Sequence, residues 1–221
     1  MPSASPGVLF DLDGTLVDSN YLHVIAWARA FDEAGERISM AAIHRMIGVG
    51  SPILLRELLG DDRRDLADAH GRHFDRLKPE LRPFPHAREL LEDVARRGAR
   101  VVLATSSREA DVAALVDAVG AGDAVTAVTH GGDVEEAKPD PDVLETAMEK
   151  GGLDRERTIL VGDTPWDVEA ARRAGIPCVC VLSGGIGRAE LEEAGAEAVY
   201  DDVAALRSAI DDSPLAKVLP R

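Results

Sequence analysis

Between two strand-like runs near the N-terminus lies a stretch of more than fifty residues with no strand pattern at all. The first run, "VLF", ends at Phe10, and the next is "RVVLATSS". From about Asn20 to Arg82 the chain reads as helix after helix: "YLHVIAWARAFDEAG", "MAAIHRMIG", "SPILLRELLG" and "RRDLADAHGRHFDRL". A connection of that size is too long for an ordinary βα loop, so it predicts a separate helical unit threaded into a larger one. Downstream the pattern changes. The runs "RVVLATSS", "AVTAVTH", "TILVGD", "PCVCVL" and a weaker "AEAVY" alternate with helical stretches. Those helices are expected to close at Gly98, Gly120, Gly151 and Gly175, as helices ending in glycine do. Alternation of this kind predicts an α/β fold, a doubly wound parallel sheet covered on both faces. The expected division is a core of residues 1–18 plus 83–221 and a helical cap domain of residues 19–82. The proline-rich "KPELRPFP" marks the return.

Composition narrows the partners. The chain has 221 residues with 40 acidic and 25 basic side chains, a formal net charge of −15. Such a surface repels a nucleic-acid backbone or an anionic membrane, so neither is expected as partner. A small phosphorylated metabolite remains compatible, because its charge is local. No run of about 18 apolar residues marks a membrane span. The opening "MPSASPG" lacks a basic region followed by an apolar one. It reads as a short flexible lead, and a cytoplasmic location is the default expectation; the sequence leaves the oligomeric state open, a monomer included. The cysteines, Cys178 and Cys180, lie inside "IPCVCVL". With no further Cys or His cluster to complete a metal site they are expected to be buried strand thiols.

The first strand runs into "DLDGT". Side chains alternate along a strand, so Asp11 and Asp13 are expected on one side, where their charges repel. Ligands of doubly wound sheets bind at the carboxyl ends of the strands. There the sequence offers Asp11 and Asp13, Thr105 and Ser106 in "ATSS", Lys138 in "EEAKPDPD", and Asp163 and Asp167 in "VGDTPWD". Each alone has a plainer role: a turn, a solvated loop cation, or a helix cap for Asp163. Together they supply a cation site, hydroxyl donors and one positive charge. Mg2+ prefers oxygen ligands, which Asp11 and Asp163 would provide from neighbouring strand ends, with Asp167 reaching it through a water. Lys138 precedes Pro139, which biases it toward an extended backbone and toward the mouth of the site.

These segments, "DLDGT", "ATSS", the Lys in "AKPDP" and "VGDTPWD", resemble the four ordered motifs of the haloacid dehalogenase (HAD) superfamily. The helical insert resembles its α-helical cap of the phosphoglycolate phosphatase and β-phosphoglucomutase type. The resemblance implies a Rossmann-like core and a Mg2+-dependent phosphatase acting through an aspartyl-phosphate. It implies Asp11 as nucleophile and Asp13 as general acid and base, with the Asp13 carbonyl also on the metal. Thr105 and the backbone at Ser106 would hold phosphoryl oxygens, and Lys138 would pair with phosphate and Asp11. Asp163 would ligate Mg2+, supported by Asp167.

Alternatives within and outside the family are weighed on single residues. Dehalogenases lack an acid at the position of Asp13. Phosphonoacetaldehyde hydrolases need a cap lysine, and the only lysine before Lys138 is Lys78, beside a proline at the exit of the helical block. A phosphomutase shares the stretch with His23 and Trp27 but carries a cap-loop arginine where this chain has Ser51, with Arg56 a turn later. A phospho-accepting receiver module places its acidic residues differently and has no helical insert. His23, Ser51 and Arg56 are the expected cap contacts to substrate, and the stretch Gly48–Ser51 either forms a loop that reaches over the site or simply joins two helices of the insert. Trp27 and Phe31 fit core packing. His44, His70, His73 and His86 show no metal spacing. The glycine-rich "SGGIG" reads as a flexible connection.

Overall fold

The computed structural model describes residues 4–134 and 137–220. Six strands form one sheet: β1 (Ser5–Phe10), β2 (Arg100–Ala104), β3 (Val125–Thr129), β4 (Leu153–Gly162), β5 (Cys178–Val181) and β6 (Ala198–Tyr200). Their spatial order is β3-β2-β1-β4-β5-β6 and every pair is parallel. The order reverses between β1 and β4, the switch point at which a doubly wound sheet opens a crevice.

Strand alternation divides the core cleanly. Val8, Phe10, Val101, Leu103, Val179 and Val181 face one layer, which contains helices α5 (Ala87–Arg96) and α6 (Glu109–Val119) and the last helix, Val203–Ser208. Leu9, Val102, Ala104, Leu160, Cys178 and Cys180 face the other, with α7 (Asp142–Gly151) and α8 (Pro165–Ala174). Both faces are buried, so the strands are apolar throughout, as parallel strands are. The two thiols are free and buried on one face, 3.9 Å apart, as expected for i and i+2 in a strand.

Three sequence expectations shift. Of the lead "MPSASPG", residues 1–3 lie outside the described residues, while Ser5 already pairs with Leu153. Strand β4 begins five residues before the apolar run "TILVGD", because Leu153 pairs with Ser5 ahead of a bulge and Thr158 resumes the ladder with Gly7. Helix α7 includes Gly151, and Gly152 takes the left-handed cap at φ 59°.

The inserted segment is all helix: α1 (Asn20–Glu33), α2 (Met40–Arg45), α3 (Ser51–Leu59) and α4 (Arg64–Asp75). It has an apolar cluster of its own, built from Val24, Trp27, Phe31, Ile43, Leu54, Leu55 and Leu66. Trp27 and Phe31 share the inner face of α1. The chain crosses to the cap and back side by side, since Asp18 N–H donates to the Arg82 carbonyl at 2.9 Å and Phe84 N–H to that of Leu16 at 2.9 Å. We propose residues 19–82 as the cap and 1–18 plus 83–221 as the core on this basis.

A separate cluster predicts separable stability. Leu55→Ala removes a fully buried side chain of the cap and should cost about 2–5 kcal/mol locally. Amide exchange should accelerate through α1–α4 and leave the sheet protected; equal acceleration in the central strands would show that cap and core open as one unit.

Candidate active site

The carboxyl ends of the strands converge on a cleft roofed by the cap. Asp11 follows β1 and Asp163 follows β4, and their strands are hydrogen-bonded neighbours. Thr105 follows β2, and Lys138 arrives from the segment between β3 and α7. The cleft is lined by Asp11, Asp13, His23, Ser51, Thr105 and Ser106, among others.

Asp11 and Asp13 both line the cleft, yet their carboxylates engage different partners. Lys138 Nζ donates to Asp11 Oδ1 at 2.5 Å and to the Ala104 carbonyl at 2.9 Å, and lies 2.8 Å from Asp167 Oδ1. Asp13 accepts from Ser19 Oγ at 2.5 Å, Ser107 Oγ at 2.6 Å and Thr105 Oγ1 at 3.3 Å, and its Oδ1 lies 3.1 Å from His23 Nε2. Directly after Asp13 the chain turns sharply: Gly14 has φ +79°, and a side chain there would collide with Asn20 and Asp163. No other residue combines that conformation with that space.

The two environments push the carboxyls apart. Burial raises Asp11, Lys138 opposes this, and the charges of Asp167 and Asp13 add to the rise, leaving it at about 7. Burial acts on Asp13 in the same direction, but His23, Ser107 and Ser19 outweigh it and draw it down to about 2. Asp163 is pushed well above its ordinary value by burial and by Asp167 and Asp11. Lys138, although buried, is held charged by Asp11 and Asp167.

Asp11, Asp163 and Asp167 offer buried carboxylate oxygens within 4.8 Å of one another. Against these three carboxylates stands the single ammonium of Lys138, so that with all three ionised two negative charges are uncompensated. An all-oxygen donor set with that deficit fits a hard divalent cation. Asp163 is aimed by Thr15 Oγ1 and Asn20 Nδ2, each donating at 3.0 Å. Asp167 serves a second purpose: its Oδ2 accepts from the backbone and hydroxyl of Thr164, forming the capping box of α8. Thr164, not Asp163, is therefore the helix cap.

Other expectations meet the structure as follows. Lys138 is 1% exposed, on the floor of the site rather than at its mouth. The loop Gly48–Ser51 does reach over the cleft, packing on Thr164, Trp166 and Ala137. Ser51 lines the cleft, whereas Arg56 is exposed and borders an adjoining cavity with Arg108. Lys78 is tied to Asp75 at 2.7 Å and to Asp111 at 2.9 Å and does not itself line the cleft. The "SGGIG" segment is no slack connection. Ser183 Oγ donates to the Gly14 carbonyl at 2.7 Å, and a Cβ at Gly184 would stand 1.7 Å from Asp163 Oδ2.

Sequence reasoning missed Ser19, Asn20, Ser107, His70 and Gly184. Ser19 and Asn20 sit in "DSN" directly after the first motif, and Ser107 is the last residue of "ATSS". Their polarity beside an apolar run was the available signal. His70 and Gly184 join the site only through tertiary folding.

The chain is similar to known proteins. The model of the family described as haloacid dehalogenase-like hydrolase matches residues 8–181. A phosphoglycolate phosphatase of Rhodospirillum rubrum is 34% identical over 221 residues, covering 93% of this chain and 90% of its own. The crystal structure of a hydrolase from Pseudomonas syringae superimposes with TM-score 0.89 at 33% identity, over 94% of this chain and 99% of that one. A putative β-phosphoglucomutase from Bacteroides vulgatus shares the fold at TM-score 0.83 and 23% identity, over 100% of this chain and 93% of that one. The six-strand order also departs from the 2-1-3-4-5 order of receiver domains, which removes the signalling-module alternative. Strand order, ordered motifs and relatives together identify the chain as a member of the haloacid dehalogenase-like hydrolase family and, within it, a phosphatase.

Proposed function

We propose that the protein hydrolyses a small phosphomonoester by way of a phosphoryl group carried transiently on Asp11. One observation carries this reading: two carboxylates share a cleft, one bonded to a buried ammonium and the other to neutral donors and an imidazole. That pairing suits a nucleophile beside a general acid and base.

Asp11 attacks phosphorus with the oxygen not engaged by Lys138. The bond to the leaving oxygen breaks, and Asp13, which takes up a proton from solvent as the phosphate dianion enters beside it, gives that proton to the leaving oxygen. Water then attacks the phosphorus of the aspartyl-phosphate, Asp13 takes a proton from it, and phosphate departs with Asp11 regenerated. Lys138 orients Asp11 and offsets charge on the phosphoryl oxygens, while the Thr105 hydroxyl and the Ser106 backbone hold those oxygens. Asp11, Asp163 and Asp167, with the Asp13 carbonyl, would hold Mg2+. Such a cation supplies the positive charge that the cluster lacks and screens the incoming dianion.

The cleft is a concave site between the core and the cap loop that closes over it, a setting for a small molecule. His23 and Ser51 would face the leaving group, with Arg56 at the edge of the adjoining cavity. A sugar phosphate or phosphoglycolate fits this setting, and the R. rubrum relative bears the latter's name. Ser51 at the cap loop, in place of an arginine for a second phosphate, favours hydrolysis over mutase chemistry. A screen of phosphorylated metabolites against the wild type and Ser51 and Arg56 variants tests the assignment: the variants should reorder the substrates, and an unchanged ranking would move specificity elsewhere.

Asp11→Asn should remove essentially all phosphate release while the melting temperature stays within a few degrees or rises; a variant retaining a tenth of wild-type turnover would dismiss Asp11 as nucleophile. Asp13→Asn should lose more on phenyl phosphate than on 4-nitrophenyl phosphate, whose leaving group departs without a proton. Equal losses would count against the acid role.

Cation binding should show in stability. Asp11 and Asp163 carry raised values in the fold, so their contribution is complete below the unfolded carboxylate range and is lost as pH rises through about 7 for Asp11. Chelator-treated protein should therefore lose stability between about pH 4 and 7. At pH 8, Mg2+ at a hundredfold its Kd should return about 2.7 kcal/mol, roughly 5–10 °C for a chain of this size, with a smaller gain at pH 5. A Mg2+ response equal at both pH values, or none, would contradict the cation site.

A further inference from the structure

Asp13 is the end of a chain of contacts that runs into the cap. His23 of α1 presents Nε2 to Asp13 Oδ1 at 3.1 Å, and its Nδ1 meets Nε2 of His70, on α4, at 3.1 Å. Both imidazoles are buried and both are clamped. His23 lies on Phe74 with ring centroids 3.9 Å apart and planes 8° from parallel. His70 lies on Trp27 at 4.3 Å and 15°. The stacks fix the rings and leave the placement of protons to the hydrogen bonds.

Proton accounting allows one direction. An ionised Asp13 only accepts, so His23 Nε2 carries hydrogen. A neutral His23 then has its lone pair at Nδ1, which requires a hydrogen on His70 Nε2. His70 Nδ1 is left as a lone pair, and it is buried without a partner among the described residues. The opposite direction would place an orphaned N–H at that atom, which folded proteins avoid more strictly than an orphaned acceptor. Burial and the neighbouring His23 hold His70 well below the ordinary imidazole range, consistent with a neutral ring.

We propose that His70 is a positioning residue for the hydrolytic reaction: its Nε2–H holds His23 in the tautomer whose Nε2–H faces Asp13, so that Asp13 is set for proton transfer only when α1 and α4 are both seated over the core. His70 has no bond to Asp13 and acts through His23. The proposal rests on Asp13 being the general acid and base. Without the His70 donor, His23 can present a lone pair to the carboxylate, and the proton-transfer geometry is lost.

The test uses His70→Phe, which keeps an aromatic ring on Trp27 but no donor, and His70→Gln, whose amide can replace it. On phenyl phosphate, His70→Phe should lower kcat about tenfold with KM changed less than about twofold. The loss should be smaller on 4-nitrophenyl phosphate, and His70→Gln should recover most of it. Nitrogen-15 NMR of the His23 ring should show the Nε2–H form in the wild type and a mixture in His70→Phe. Wild-type kinetics in His70→Phe, no recovery with Gln, equal losses on both esters, or an Nδ1–H form of His23 in the wild type would each overturn the proposal. Should His70→Phe fail to fold, the wild-type spectrum and the Gln variant still decide. Asp13→Asn measured alongside separates the two readings: if it shows no leaving-group dependence the role of Asp13 falls, while the tautomer spectra still judge His70.

Discussion

A buried ammonium organises this molecule. Lys138 is 1% exposed, and an unpaired charge at that depth would cost several kcal/mol. Its partners come from separate parts of the sheet: Asp11 beyond β1, the Ala104 carbonyl at the end of β2, and Asp167 in the first turn of α8 beyond β4. The contacts that make its burial tolerable thus tie three strand ends to one point. They also hold together carboxylates that would otherwise repel, and Asp163 adds a further negative charge beside them. The deficit that remains is what suits the cluster to the divalent cation proposed for it.

The same economy extends to the cap. Asn20, the first residue of α1, donates both to Asp163 and to the Gly184 carbonyl, at 3.0 and 3.2 Å. His44 of α2 reaches that carbonyl at 2.9 Å. Trp166 of α8 donates to the Arg45 carbonyl at 3.3 Å. Cap residues are therefore bonded to the groups that aim the acidic cluster. A cap that lifts exposes the cleft and also disturbs the alignment of Asp163 and Asp13, which couples closure to readiness for chemistry.

Much of the fold was legible because each layer has its own period. The alternation of Val8 and Phe10 against Leu9, and the helix spacing of Trp27 and Phe31, follow from which faces are buried, and those periods survive in sequence. The motif residues Asp11, Thr105 and Asp163 were legible because polar side chains directly after apolar strands stand out, and Lys138 because it stands before Pro139 in "AKPDP". Asp13 was legible too, but the separation of its partners from those of Asp11 was not, since Ser19 and His23 come from the start of the helical insert and Ser107 from beyond β2. Lys138 was misplaced at the mouth because nothing local reveals how deeply a side chain is buried. The role of "SGGIG" was hidden for the same reason: only the approach of Gly184 to Asp163 gives it meaning. His70 lies 47 positions from His23, and no local pattern links them.

The account stands on Asp11 as the atom-bearing centre of phosphoryl transfer, held for that task by Lys138. The most direct measurement is acid quench of the enzyme during steady turnover, followed by peptide mass spectrometry to locate a hydroxylamine-labile phosphoryl group. The account predicts that group on the peptide containing Asp11 and its absence in Asp11→Asn. A phosphoryl group on any other residue, or turnover with no covalent phosphoenzyme at any quench time in the wild type and in Asp13→Asn, would contradict it.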